Sequence, residues 1–293
     1  MISRFDLSIF DAPKLILGTA QLVTDYGVTR PNVAVRTESS AIQFLKFARQ
    51  LGISTLDTAP AYGSAEQVIG GSGLPFEIHT KVERGCTSLE SLRKSLEVLE
   101  REEVDVLYIH DIDDFRARPK ELDQELEECL DHGARRVGVS VYGLDEISLV
   151  VGCRNISVVQ LPLSVLDRRF LGEIPRLLDA GVSCIVRSVF LQGTLLGNRH
   201  TVPTKVAHLS PFLAQFAEAC ERNALTPLEA CLGWVSSVSG IESVIVGALE
   251  EMELAEIVDT WGRVGIGVFD HERFDNLELP DGWAVDPRNW AEM

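Results

Sequence analysis

Eight short apolar runs recur along the chain, and they limit its fold more than any other feature. They are KLILGTA (14–20), STLDTAP (54–60), EIHTKV (77–82), VDVLYIH (104–110), RRVGVSV (135–141), VVQLPLS (158–164), SCIVRSV (183–189) and SVIVGA (243–248). Val, Ile and Leu dominate them, and each has the length of a buried strand. Between them lie stretches with apolar residues at helical spacing, which predict helices over 39–51, 88–99, 121–132 and 212–222. Strands alternating with helices imply parallel strands joined by crossover helices. Eight such units in about 250 residues have the size of a (β/α)8 TIM barrel. The alternative of similar size is a doubly wound sheet.

A chain of 293 residues, 45% of them hydrophobic, is long enough to close one such barrel over residues 1–293. No low-complexity linker divides it. The gap between the seventh and eighth runs holds a polar loop and two helical stretches. Thr226-Pro227 separates the stretches as a helix cap and first residue would. Residues 262–293 form a C-terminal tail whose Trp283 and Trp290 either pack on the barrel or cover its mouth.

The net charge of −17 disfavours a nucleic-acid or anionic-membrane surface, because both need clustered Lys and Arg. Six cysteines, none in a C-x-x-C pair, read as reduced thiols, several of them in apolar runs. The first residues carry acids where a secretion signal needs an apolar block. No run reaches the ~18 apolar residues of a membrane span. A cytoplasmic location is the expectation; oligomeric state is not encoded in any feature found.

In a barrel enzyme the chemistry sits at the C-terminal ends of the strands. The second, third and fourth runs deliver Asp57, Lys81 and His110 there, with Tyr62 in the loop just after Asp57. Each alone has an ordinary reading: a turn cap, a surface lysine, a core histidine. Neighbouring strands lie about 4.8 Å apart, so the side chains can converge. A buried ammonium needs a carboxylate, which Asp57 supplies to Lys81. That ammonium favours the phenolate of Tyr62 and is expected to lower its pKa. His110 can donate to a substrate oxygen. Such a set suits protonation of an oxyanion developing on a carbonyl, without a metal. His79, two residues before Lys81, points to the same side but deeper, and reads as a core polar residue.

These residues, with LGTAQ (17–21), DTAPAYGSAE (57–66), LYIHDID (107–113), GVSVY (138–142) and RSVFLQG (187–193), resemble the aldo-keto reductases. The resemblance runs in order over about 230 residues. It implies a (β/α)8 barrel that reduces aldehydes or ketones with NADPH or NADH. It also implies that the catalytic tetrad is Asp57, Tyr62, Lys81 and His110, with Tyr62 as general acid. By the same resemblance Thr19 and Ala20 lie near the ribose, and Ser140 and Gln160 on the carboxamide. Ser188, Phe190, Leu191, Gln192 and Gly193 form a pyrophosphate loop, with Arg187 before it and Gly247 after the eighth strand. LGTAQ followed by Asp25-Tyr26-Gly27 is similar to members found near sugar pathways. Acids near the rim (Asp25, Asp111, Asp113, Asp114) and Tyr26 hint at hydroxyl-rich substrates.

The chain departs from the family pattern in four places. Val141 stands where many members have Asn. Arg187 stands where many have an aromatic that stacks on the nicotinamide, and a second positive group there would favour the reduced, neutral ring. Glu250, Glu251 and Glu253 crowd the position of cations that bind a 2′-phosphate, and Ile257 replaces an Asn. Such acids suit a ribose diol and hence NADH; they equally suit a solvated helix start. Residues 1–13 are short for the hairpin that closes the barrel base in many members.

Two other functions fit parts of the sequence. One is a cofactor-binding regulatory subunit of the same fold. The other is a lyase or isomerase using Lys81 as a Schiff-base nucleophile. No G-x-G-x-x-G follows a strand, and IGGSGLP (69–75) has the wrong spacing. Nor is there a P-loop, H-E-x-x-H or G-x-S-x-G.

Overall fold

A computed structural model describes residues 13–24, 36–110, 112–197, 202–264 and 269–292. Eight parallel strands close into a barrel in sequence order, the first pairing with the last. They are β1 (Lys14–Gly18), β2 (Thr55–Asp57), β3 (Glu77–Lys81), β4 (Val106–Ile109), β5 (Val137–Ser140), β6 (Ile156–Pro162), β7 (Ser183–Arg187) and β8 (Ile241–Val246). The helices on the outside are α1 (Glu38–Gln50), α2 (Ala65–Ser72), α3 (Ser88–Leu99), α4 (Ile112–Ala117), α5 (Pro119–Asp131), α6 (Ile147–Gly152), α7 (Ile174–Asp179), α8 (Ser210–Arg222), α9 (Pro227–Ser236) and α10 (Glu251–Val264). The fold is the expected (β/α)8 TIM barrel, and each of the four expected helices is present with ends shifted by a residue or two.

Successive side chains on a strand face opposite sides. One set packs outward against the helices in a large apolar layer that includes Leu17, Leu56, Ile78, Leu107, Val139 and Val159. The other set fills the barrel. Ile16, Val106, Tyr108, Val158 and Ile185 pack there with Ile245. Gly138 on β5 makes room for Tyr108, since a Cβ there would lie 2.4 Å from Val158 O and 3.0 Å from the Tyr108 ring. His79 shares this inner layer, 3.4 Å from the Tyr108 hydroxyl, and burial drives its pKa down to about 4. It is therefore a neutral core histidine at pH 7.

Two residues further along, the inward positions of β2 to β7 turn polar (Asp57, Lys81, His110, Ser140, Gln160, Arg187) while β1 and β8 offer Gly18 and Gly247, and this layer is the barrel mouth. Helix starts obey local chemistry: Thr37, Thr87 and Thr226 each cap a helix, the last in a reciprocal box with Glu229. The tail runs from α10 back along the barrel. Phe274 packs on Phe216, Trp290 is buried with its Nε1 donating to Ala284 O at 2.8 Å, and Trp283 stays half-exposed. Phe274 and Trp290 are thus packed in, while Trp283 is not. No described helix is long and apolar enough to cross a membrane.

Candidate active site

Asp57, at the end of β2, is buried at the centre of the mouth. Its Oδ1 accepts from Lys81 Nζ at 2.7 Å, and its Oδ2 accepts from Gln160 Nε2 at 2.7 Å. Lys81 closes β3 and is 2% exposed. Its ammonium also donates to Thr58 O at 2.9 Å, and the Tyr62 ring centre lies 4.9 Å away. Burial pulls the Lys81 pKa down, but Asp57 and Tyr62 outweigh it, so the net direction is up. The lysine is held as an ammonium.

Tyr62 reaches the site from a tight turn. Its N–H donates to Ala59 O, and Gly63 takes the left-handed conformation that turns the chain into α2. Glu66, the acid of the DTAPAYGSAE motif, clamps α2 from behind. It accepts from Thr80 Oγ1 at 2.5 Å and Ser95 Oγ at 3.3 Å, and burial raises its pKa. The phenol itself departs from expectation. Lys81 does lower its pKa, but burial raises it more, and the Asp57 charge adds to the rise. Tyr62 is thus a neutral hydroxyl at neutral pH.

These side chains open on one cavity of about 710 Å³. That falls within the ~300–1,000 Å³ range of small-molecule and cofactor sites. Asp57, Tyr62, Lys81, His110, Ser140, Gln160 and Arg187 line one end of it; Ala248, Leu249, Glu253, Glu256 and Ile257 also contribute to its wall. Of the remaining expected cofactor residues, Ala20, Ser188, Phe190, Gln192, Gly193 and Gly247 line it too. Thr19 does not. It is buried behind the wall, its hydroxyl donating to Asp57 O at 3.0 Å, while Gly18 and Gln21 face the cavity beside it. Leu191 is also buried away from the wall and contributes a backbone with φ of 45°. Gln160 is turned to the Asp57 carboxylate.

In the loop after β7, Ser188, Leu191, Gln192 and Gly193 all have positive φ, and the Leu191 and Gly193 N–H groups donate within the loop to Ser188 O and Phe190 O at 2.9 Å. Ser188, Gln192 and Gly193 of this tight turn bring polar groups to the cavity wall, as a phosphate-bearing cofactor needs. Gly247 lines the cavity next to Gln21, whose Oε1 would lie 2.7 Å from a Cβ at that position. Arg36 lies among the acids of α10's first turn. It bonds to Gln21 O and Leu249 O, lies over the Phe44 ring at 4.0 Å, and is surrounded by Glu250, Glu251 and Glu253. Glu253 accepts from Leu249 N at 2.8 Å and still faces the cavity.

Across its whole core the sequence matches the description "Aldo/keto reductase family", over residues 14–277. The chain belongs to that family. It is accordingly an NAD(P)H-dependent oxidoreductase acting on carbonyl groups, using NADPH or NADH. No curated protein matches it. Solved structures share the fold. The holo form of aldo-keto reductase AKR11C1 from Bacillus halodurans superposes with a TM-score of 0.75 at 22% identity, covering 97% of each chain. Its apo form gives 0.72 at 23%, covering 87% of this chain and 91% of that one. The glycerol dehydrogenase AKR11B4 from Gluconobacter oxydans gives 0.67 at 19%, covering 86% and 87%.

Sequence reasoning missed some of what lines this aldo/keto reductase's cavity. Thr226, Pro227 and Leu228 reach its wall from the start of α9. Tyr142, quoted within GVSVY but given no role, lies between two guanidiniums. Arg187 is 3.9 Å and Arg288 of the tail 3.7 Å from its ring centre. Asp25, Tyr26 and Asp111 lie outside the described residues, as does the Asp114 side chain. Asp113 is exposed and pairs with Arg116 at 2.9 Å.

Proposed function

We propose that this aldo/keto reductase reduces an aldehyde or ketone to its alcohol, with Tyr62 as the proton donor. One observation carries the reading. A fully buried ammonium, fixed by Asp57 at 2.7 Å and Thr58 O at 2.9 Å, sits under a phenol at the wall of a cavity large enough for substrate and cofactor. When bound, the nicotinamide supplies the hydride that adds to the carbonyl carbon. The carbonyl oxygen gathers negative charge as that happens and takes the proton of the Tyr62 hydroxyl. Lys81 stabilises the phenolate left behind, and its proton stays in place because Asp57 neutralises it. His110, half-buried on the same wall, orients the oxygen by hydrogen bonding.

Residues Ser188–Gly193 would hold the pyrophosphate and Gly247–Leu249 the adenosine half. Glu253 and Glu256 at that wall favour a ribose diol over a 2′-phosphate, which supports NADH over NADPH. A polyhydroxylated carbonyl compound is the substrate class to try first; one structure of the same fold is named a glycerol dehydrogenase. The Schiff-base alternative has less support, since an ammonium locked to a carboxylate is a poor nucleophile. The test is turnover of a panel of hydroxyaldehydes, hydroxyketones and simple aldehydes, followed by loss of reduced-cofactor absorbance. Tight cofactor binding with no turnover on any of them overturns the reading in favour of a regulatory subunit.

A further inference from the structure

Among the described residues, one cation on the cavity wall has no charged partner. Lys81 is paired with Asp57, Arg169 with Asp167 at 2.8 Å, and Arg288 with Asp286 at 2.6 Å. Arg187, at the end of β7, lines the cavity yet has only neutral partners among the described residues. Its Nη2 donates to Val141 O at 3.0 Å and its Nη1 to Ser188 Oγ at 3.3 Å, while its Nε is buried with no hydrogen-bond partner. The guanidinium therefore spans from β7 to the chain just after β5, across the end of β6. Gln160, further back on β6, ties that same wall to Asp57. In a chain of net charge −17, a guanidinium with no charged partner among the described residues, in the cavity that Tyr62 and Lys81 also line, calls for a reason. It is held by Val141 O and lies 3.9 Å from the Tyr142 ring centre, and Arg288 packs on the same ring at 3.7 Å. The tail thus helps to hold it in place.

Hydride transfer requires the nicotinamide to lie against the carbonyl whose oxygen meets Tyr62, and so at this end of the cavity. The reduced ring is neutral. Loss of a hydride, one proton with two electrons, from its C4 leaves the ring with a single positive charge. A guanidinium packs well on a neutral planar ring and repels a cationic one. We propose that Arg187 makes the site discriminate between the two redox states of its cofactor, holding the reduced form and expelling the oxidised form. This rests on the carbonyl-reductase reading above. The electron balance is that of the reaction itself: the carbonyl carbon gains the hydride, its oxygen gains the Tyr62 proton, and the spent cofactor leaves because its new charge faces Arg187. Preferential binding of the reduced form also raises the potential of the bound couple. A tenfold preference corresponds to about 30 mV for two electrons. Expulsion of the oxidised form accordingly comes with a smaller driving force for reduction on the enzyme.

The test is equilibrium titration of the full chain with the reduced and the oxidised form of the same cofactor, read by tryptophan fluorescence and by calorimetry, without substrate. Like charges this close in a partly screened site are worth about ten- to hundredfold in affinity. The wild type is expected to bind the reduced form at least about tenfold more tightly. Arg187→Lys should keep that ratio within about threefold, because the charge stays. Arg187→Met and Arg187→Gln should bring it close to one; the Gln variant retains a donor for Val141 O and guards against a merely misfolded Met variant. An unchanged ratio in the neutral variants, with both forms still binding, overturns the inference and leaves the carbonyl-reductase reading standing. Binding of neither form by the wild type overturns that reading and the inference with it.

Discussion

Replacing Asp57 by Asn removes the only described carboxylate paired with a lysine that is 2% exposed. Lys81 would keep its bond to Thr58 O, and the new amide oxygen could still accept one hydrogen bond. What is lost is the countercharge. Stranding one partner of a buried ion pair costs about 3–5 kcal/mol, so urea unfolding at pH 7 should show a loss of that size. The pH dependence gives a sharper reading. In the wild type the Lys81 pKa is raised above the usual lysine value, so the pair's contribution is fully present through neutral pH and is lost as pH climbs from about 10.4 through that raised value. In the variant, burial depresses the folded-state pKa, and with the Asp57 charge gone only Tyr62 opposes it. The unfolded chain then binds more protons than the folded one, and stability rises with pH up to about 10.4. The expected result is a variant that regains much of its loss between pH 7 and 10, while the wild type does not gain. A double variant, Asp57→Leu with Lys81→Met, should be more stable than the single one. A loss below about 1 kcal/mol, flat with pH, would refute the ion-pair argument, since surface-like pairs behave that way.

Two other outcomes follow from neighbouring residues. His79 has a folded-state pKa of about 4 because burial disfavours its charge. The unfolded histidine protonates near pH 6.5, so stability drains away as pH falls from 6.5 to 4, by about 3 kcal/mol at the lower end. His79→Gln should flatten that part of the stability–pH curve; an unchanged slope by chemical denaturation counts against the assignment. Gly138→Ala places a methyl 2.4 Å from Val158 O inside the barrel, and should lower stability by about 1–3 kcal/mol or more. A neutral effect there, seen by thermal melting, would mean that the inner layer has slack.

Much of the site was legible because strand alternation is strict. Counting back by two from Lys81 gives His79, and from His110 gives Tyr108. The same step separates Ser140 from Gly138 and Gln160 from Val158. A polar mouth two residues beyond the inner layer is thus written into six of the eight runs. Tyr62 and Glu66 were visible through the turn that joins them to Asp57. The sign of the Tyr62 shift was not, because it depends on how deeply the phenol is buried rather than on which charges are near. Thr19 was misplaced for a related reason: it follows β1, but its hydroxyl turns to the Asp57 carbonyl instead of the cavity. The Tyr142 sandwich was beyond reach, since Arg288 arrives from a tail whose path is set by the burial of Phe274 and Trp290.

The Tyr62 hydroxyl is the centre of the account, and Tyr62→Phe removes that one atom while keeping the ring beside Lys81. Single-turnover reduction of the best panel substrate should slow by about 10²–10⁴-fold, with affinity for the reduced cofactor unchanged. A variant that transfers hydride at a rate within about threefold of wild type would contradict the account, because the proton would then come from elsewhere.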